Sequence, residues 1–248
     1  MSNTELETIQ GVKAPIPLEI FKPAGEGPWP AVLVIHELLG LNNDIRRIAG
    51  RFAENGYLAA CPDLMADGGR IGCIRAAVES LRKGEGPQVA QLEAGIKLLR
   101  GRADTSEVGV AGFCMGGGFA TLLATRVPLG AAAVFYGDIR PSEELKQACP
   151  IVAGYGGRDK GFRGKGKRLQ QRLTEFGIPN DVKIYPEAGH CYMNKAVPGL
   201  LAPLVRPLMV VDYHEEAAED SWRRMLTFFA EHLASGQSAA VGSPGIAV

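Results

Sequence analysis

Short apolar runs alternate with amphipathic stretches along most of the chain, and the alternation predicts strands and helices in turn. Residues 31–35 (Ala-Val-Leu-Val-Ile), 57–61, 107–112, 131–136, the start of 150–159 and 181–186 read as strands, most of them buried on both faces. Between them, Ile45, Ile48, Ala49, Phe52 and Ala53 fall on one helical face, with Gly56 as the stop. Val89, Leu92, Ile96 and Leu99 form a second stripe, and residues 114–125 make an Ala/Leu-rich buried helix. A closing helix over 215–233 turns Trp222, Met225, Leu226, Phe229 and Leu233 inward. This is the pattern of an α/β domain, a mostly parallel sheet with helices on both faces. Two segments break the rhythm: 65–82, rich in Gly and Arg, and 192–213, with three prolines. Long excursions above a sheet's carboxyl edge build substrate walls and lids, which is the expectation for both.

Composition narrows the picture. The chain has 248 residues, 46% hydrophobic and 22% charged, enough for one sizeable core. The expected organisation is an N-terminal segment 1–14, a single domain 15–234, and a small, Gly/Ser-rich tail 235–248 expected to be disordered. The formal net charge is zero, so no nucleic-acid or membrane partner is expected. A modest basic cluster over 158–172 is interrupted by glycine and reads as a loop leading into a solvated helix face. The start of the chain lacks a basic-then-apolar signal pattern, and the expected compartment is the cytoplasm. No coiled-coil or interface stripe is evident, which makes a monomer the expectation. The five cysteines are odd in number and form no CxxC pair, so neither a disulfide framework nor a metal site is expected. Cys61 and Cys149, each before a proline near a strand end, read as core or strand-edge residues.

The chemistry centres on residues 109–118, Gly-Val-Ala-Gly-Phe-Cys-Met-Gly-Gly-Gly. Gly112 and Gly116 flank Cys114 at the spacing of a nucleophile elbow, the strand-turn-helix corner of the α/β-hydrolase fold. The corner lifts one side chain above the sheet and aims a helix N-terminus at it, and its flanks must be small because backbone meets backbone there. In that fold an acid and then a histidine follow the nucleophile. Asp159 ends the Gly-rich loop after the strand that begins at 150, and His190 follows the 181–186 strand. Each lies just past a strand's carboxyl end, where open parallel sheets place their sites. The loop His36-Glu-Leu-Leu-Gly-Leu-Asn42 follows the 31–35 strand and would supply one oxyanion-hole N–H, from Leu38, with Met115 giving the other. Tyr136 at a strand end and Cys191 beside His190 are candidates for the pocket wall.

Cys114 in Gly-Phe-Cys-Met-Gly-Gly, Asp159 in Gly-Gly-Arg-Asp, His190 in Ala-Gly-His and Glu37 in His-Glu-Leu-Leu-Gly-Leu-Asn together resemble dienelactone hydrolase, over about residues 15–233. The resemblance implies a Cys-Asp-His triad that hydrolyses lactones or small esters through an acyl-thioester with no cofactor. It implies that Glu37 holds the resting thiol neutral until substrate displaces it. It also implies two arginines that clamp a substrate carboxylate. One of those positions holds Asn194 here, and the other falls among Arg70, Arg75 and Arg82, with Arg75 the candidate. Cys191 replaces a serine of the pattern. Asparagine supplies neither charge nor a bidentate fork, so a neutral or differently shaped substrate is an open alternative to dienelactone. An acyltransferase on the same scaffold and a non-catalytic binding protein are the other readings.

Overall fold

The computed structural model describes residues 3–12, 15–66, 70–195 and 210–233. Eight strands form one sheet: β1 (Asn3–Ile9), β2 (Ile16–Lys22), β3 (Trp29–Ile35), β4 (Leu58–Pro62), β5 (Thr105–Phe113), β6 (Ala132–Phe135), β7 (Ile151–Gly156) and β8 (Asn180–Tyr185). Their order across the sheet is β1-β2-β4-β3-β5-β6-β7-β8. β1 and β2 pair antiparallel, as do β2 and β4, and every later pairing is parallel. The helices are α1 (Asn43–Glu54), α2 (Arg70–Lys83), α3 (Pro87–Gly101), α4 (Met115–Ala124), α5 (Lys165–Glu175) and α6 (Glu215–His232).

The side-chain period of a strand explains the layering. In β3, Ala31, Leu33 and Ile35 join a core with α3, α4 and α5, while Val32 and Val34 join a second core with α1 and α6. Both faces are covered, so the central strands carry apolar residues at every position. In α1 the predicted stripe of Ile45, Ile48, Ala49, Phe52 and Ala53 is buried. Trp222, Met225 and Phe229 of α6 are buried as expected; Leu226 is only partly buried, and Phe228 takes an inward position.

Two expectations change. Residues 1–14 are not simply an appendage, because β1 lies within them, pairs with β2 along its length and buries Ile9. The 65–82 excursion is largely helical, as α2, with Ala77 buried and Leu81 packed on the core. Of the 192–213 excursion, residues 196–209 lie outside the described residues, as do 234–248, which include the tail. Among the described residues no helix is long and apolar enough to cross a membrane.

Candidate active site

The elbow joins β5 to α4. Cys114 has φ 55°, a left-handed conformation uncommon outside glycine, and stands as the residue before the first helical turn. The corner is tight enough to exclude side chains at its flanks. A Cβ on Gly112 would lie 2.0 Å from the Gly116 carbonyl oxygen, and one on Gly116 would lie 2.1 Å from that of Ile35. The central strand thereby delivers Cys114 to the sheet's carboxyl edge, and the N–H of Met115 lies among those that α4 leaves without an intrahelical acceptor.

Two neighbouring strand ends bring the partners. His190 Nε2 lies 3.1 Å from Cys114 Sγ, and His190 Nδ1 lies 2.6 Å from Asp159 Oδ2. Asp159 is held by its other oxygen, which accepts from the N–H groups of Gly161 (3.1 Å) and Phe162 (3.3 Å). His190 is fixed through its own N–H, which donates to Val210 at 2.6 Å, and by the Phe162 ring, 4.9 Å between centroids. Burial alone would push the imidazole down, but hydrogen bonds to Asp159 and Cys114 outweigh it and hold its pKa up at about 9. A hydrogen bond from Cys191 is the leading cause that keeps the Cys114 thiol well below its ordinary range; burial opposes it, and His190 and the Met115 N–H reinforce it. A thiolate beside an imidazolium is therefore the favoured charge state.

Glu37 sits in the loop after β3. It is 5% exposed, its Oε1 accepts from Asn42 Nδ2 at 2.6 Å, and its Oε2 is buried with no hydrogen-bond partner. Burial pushes its pKa up to about 7, against the pull of its own backbone N–H and the Asn42 amide; the negative charge of Cys114 adds to the rise. The same Asn42 caps α1 by accepting from the N–H groups of Asp44 and Ile45. His36 braces the loop from below. Its Nε2 accepts from the Leu64 N–H, which leaves Nδ1 protonated to donate to the Glu37 carbonyl at 2.6 Å. Neither His36 nor Asn42 stood out in the sequence as a site residue, although an asparagine just before an amphipathic stripe is a capping signal.

The expected pocket residues separate. Cys191 joins the site: its sulfur, that of Cys114 and a ring nitrogen of His190 all lie within 4.8 Å of one another, a donor set of the kind soft metal ions bind. Tyr136 does not line an open wall. It is fully buried, its ring meeting the edge of His190 at 5.3 Å, and its hydroxyl donates to Asn194 Oδ1 at 2.6 Å. Asn194 is buried too, and its Nδ2 donates to Asp44 Oδ2 at 3.0 Å. The asparagine thus ties β6 to α1 and its amide is engaged at both ends. Arg75 is exposed on α2, where it neighbours Glu79, and no contact among the described residues joins it to Cys114.

Asn194 is then a brace, and its replacement should read out as stability. Asn194→Leu takes the Tyr136 hydroxyl's partner and one of the two donors to Asp44 Oδ2, which keeps the Lys195 N–H, and is expected to cost about 1–3 kcal/mol in urea unfolding. A change confined to KM would instead mark a group that touches substrate.

A model of the Dienelactone hydrolase family matches residues 17–233. The chain belongs to the dienelactone hydrolase family. Among its dienelactone hydrolase relatives is a Yersinia pestis protein named "Putative carboxymethylenebutenolidase", 30% identical over 241 residues, covering 88% of this chain and 84% of the relative. A protein of the same name from Saccharolobus solfataricus is 31% identical over 251 residues, covering 85% and 93%. The crystal structure titled a putative dienelactone hydrolase from Klebsiella pneumoniae superposes with a TM-score of 0.75 at 24% identity, covering 93% of this chain and 99% of that one. The fold of this dienelactone hydrolase family member is the α/β-hydrolase fold, which it shares at a TM-score of 0.71 with an acylaminoacyl peptidase of Pyrococcus horikoshii, 13% identical over 96% of this chain and 43% of that one.

Proposed function

We propose that the protein hydrolyses small carboxylic esters or lactones of the carboxymethylenebutenolidase type through an acyl-thioester on Cys114. The observation that carries the reading is the relay from Cys114 through His190 to Asp159, at 3.1 and 2.6 Å. The Cys114 thiolate attacks the substrate carbonyl carbon, and the N–H groups of Leu38 and Met115 receive the developing oxyanion. Collapse expels the alkoxide, which takes the proton from the His190 imidazolium. His190, now neutral, removes a proton from water as it attacks the thioester, and the thiolate leaves. Asp159 keeps the imidazole in one tautomer throughout.

The acyl group is best read as neutral. Asn194 is committed to Tyr136 and Asp44, and Arg75 faces solvent, so neither position offers a charge to a substrate carboxylate. The test is incubation with p-nitrophenyl acetate and a dienelactone, with turnover and intact mass both followed. Turnover of both esters with an acetyl adduct on Cys114 supports the reading, and preference for the neutral ester supports the missing clamp. No turnover and no adduct overturns it.

Glu37 acts on the nucleophile through charge. A carboxylate beside Cys114 disfavours the thiolate, and it is present only above its own pKa of about 7. Glu37→Gln removes that repulsion, so the midpoint of iodoacetamide alkylation should move to lower pH and the rate at pH 7 should rise roughly 3–10-fold. An unmoved profile would discount the gate.

A further inference from the structure

Cys114 and Cys191 are both free and half-buried, and their sulfurs lie within 4.8 Å of each other beside the same histidine nitrogen. They belong to different arms of the site: Cys114 stands between β5 and α4, whereas Cys191 follows His190 after β8. Cys191 holds φ at 59°, like Cys114 in the left-handed region, with its sulfur within 4.8 Å of the Cys114 sulfur. The mechanism above uses one sulfur only. The second thiol favours the thiolate of the first, but no bond of the ester reaction forms or breaks at it.

A nucleophilic thiolate attacks peroxides as well as carbonyls, and a neighbouring thiol decides whether the product can be reversed. We propose that Cys114 and Cys191 form a reversible disulfide when hydrogen peroxide enters the site, with Cys191 as the resolving thiol. In the first step the Cys114 thiolate takes one oxygen of the peroxide and becomes a sulfenic acid. The O–O bond breaks, and the departing hydroxide takes the His190 proton to leave as water. In the second, His190 removes the proton of the Cys191 thiol. That sulfur then attacks the Cys114 sulfur, and the sulfenic hydroxyl leaves with the proton as water. Two thiols lose two hydrogens and one peroxide becomes two waters. The sulfurs close from contact to about 2.05 Å. The bond removes the nucleophile and ties the histidine loop to the elbow, and an external dithiol restores both.

Two of the other three cysteines are set apart by burial, and the third, Cys73, lies on α2 with its thiol donating to the Met65 carbonyl at 3.9 Å, away from His190. Cys61 is buried within β4, and its thiol is pushed far up by burial. Cys149 lies at the amino end of β7, the opposite edge of the sheet from the elbow, with its thiol pushed up to about 12 by burial. Neither is suited to meet peroxide.

The test is hydrogen peroxide treatment of the whole protein, alkylation of remaining thiols, and a non-reducing tryptic map. Cys114 and Cys191 fall in separate peptides, 103–126 and 184–195. The expected result is loss of two hydrogens, a link between those two peptides, and return of both free thiols with dithiothreitol. Esterase activity should fall and recover in step. After the same excess of peroxide, Cys191→Ser should gain two oxygens on peptide 103–126 and recover less than about a tenth of its own starting activity. Oxygen gain at Cys114 in the native protein with no linked peptide overturns the proposal, as does equal recovery of the variant. The map of the native protein decides the matter even if the variant does not fold or no tested ester is turned over.

Discussion

Cys114→Ala is expected to lower kcat for p-nitrophenyl acetate by on the order of 10⁴–10⁶-fold while leaving the fold intact. The sulfur is the sole atom through which His190 reaches a carbonyl in the proposed scheme, at 3.1 Å from Nε2. Without it, the imidazole and Asp159 remain paired with nothing to activate but water, and the oxyanion donors still bind. A residual rate from those donors is expected, with no acyl adduct. The side chain at this position makes no cap hydrogen bond to α4, so its loss should not unravel the helix. Cys114→Ser gives a sharper reading. His190, with a pKa held up at about 9, is matched to a thiolate partner, and serine's far weaker acidity leaves it mostly unactivated. Serine should therefore fall between alanine and native. Undiminished hydrolysis in Cys114→Ala, measured at equal unfolding midpoints, would sink the thioester mechanism.

Gly116→Ala is expected to destabilise the protein by about 3–5 kcal/mol. The added Cβ would lie 2.1 Å from the Ile35 carbonyl oxygen and 2.8 Å from that of His36. Both obstacles are backbone, in β3 and in the loop that carries Glu37 and Leu38. Relief would have to push α4 away from the sheet or displace that loop, so any folded fraction should also lose activity. Gly118→Ala is the control. Its Cβ meets the end of the Leu81 side chain at 2.7 Å, which can rotate away, and alanine gains about 1 kcal/mol of helix preference over glycine. Urea unfolding should separate the two variants by at least about 2 kcal/mol. Equal effects would mean that the elbow is not held by backbone contact.

The strands that carry the site were legible because they are buried on both faces, so β3, β5 and β7 read as unbroken apolar runs that end on their functional residue. β1 and β2 were not read, for opposite reasons. β1 is an edge strand with Glu5 and Glu7 and an exposed Leu6, so its core face is represented mainly by Ile9. In β2 the alternation of Ile16, Leu18 and Ile20 is present, but Pro17 interrupts it. The helix α2 was obscured by the glycines and arginines around its start, which carry the composition of a loop. Within the site, the order of Cys114, Asp159 and His190 was visible because each follows a strand. The linkage of Tyr136, Asn194 and Asp44 was not, since it joins residues 58 and 150 positions apart. No local pattern encodes such pairings; they follow only from the order of strands in the sheet.

Three non-glycine residues hold positive φ among the described residues: Cys114 at 55°, Tyr136 at 42° and Cys191 at 59°. All three border one another around His190. At Cys114 and Cys191, whose side chains are small, selection or engineering for heat resistance alone would favour glycine, since it removes roughly 1–2 kcal/mol of backbone cost there; at Tyr136 the buried ring outweighs that gain. Two thermostabilising replacements thus coincide with the two sulfurs of the site. A library ranked by melting temperature would enrich for well-folded, inert proteins, so a search for hardier variants of this enzyme must score turnover from its first round.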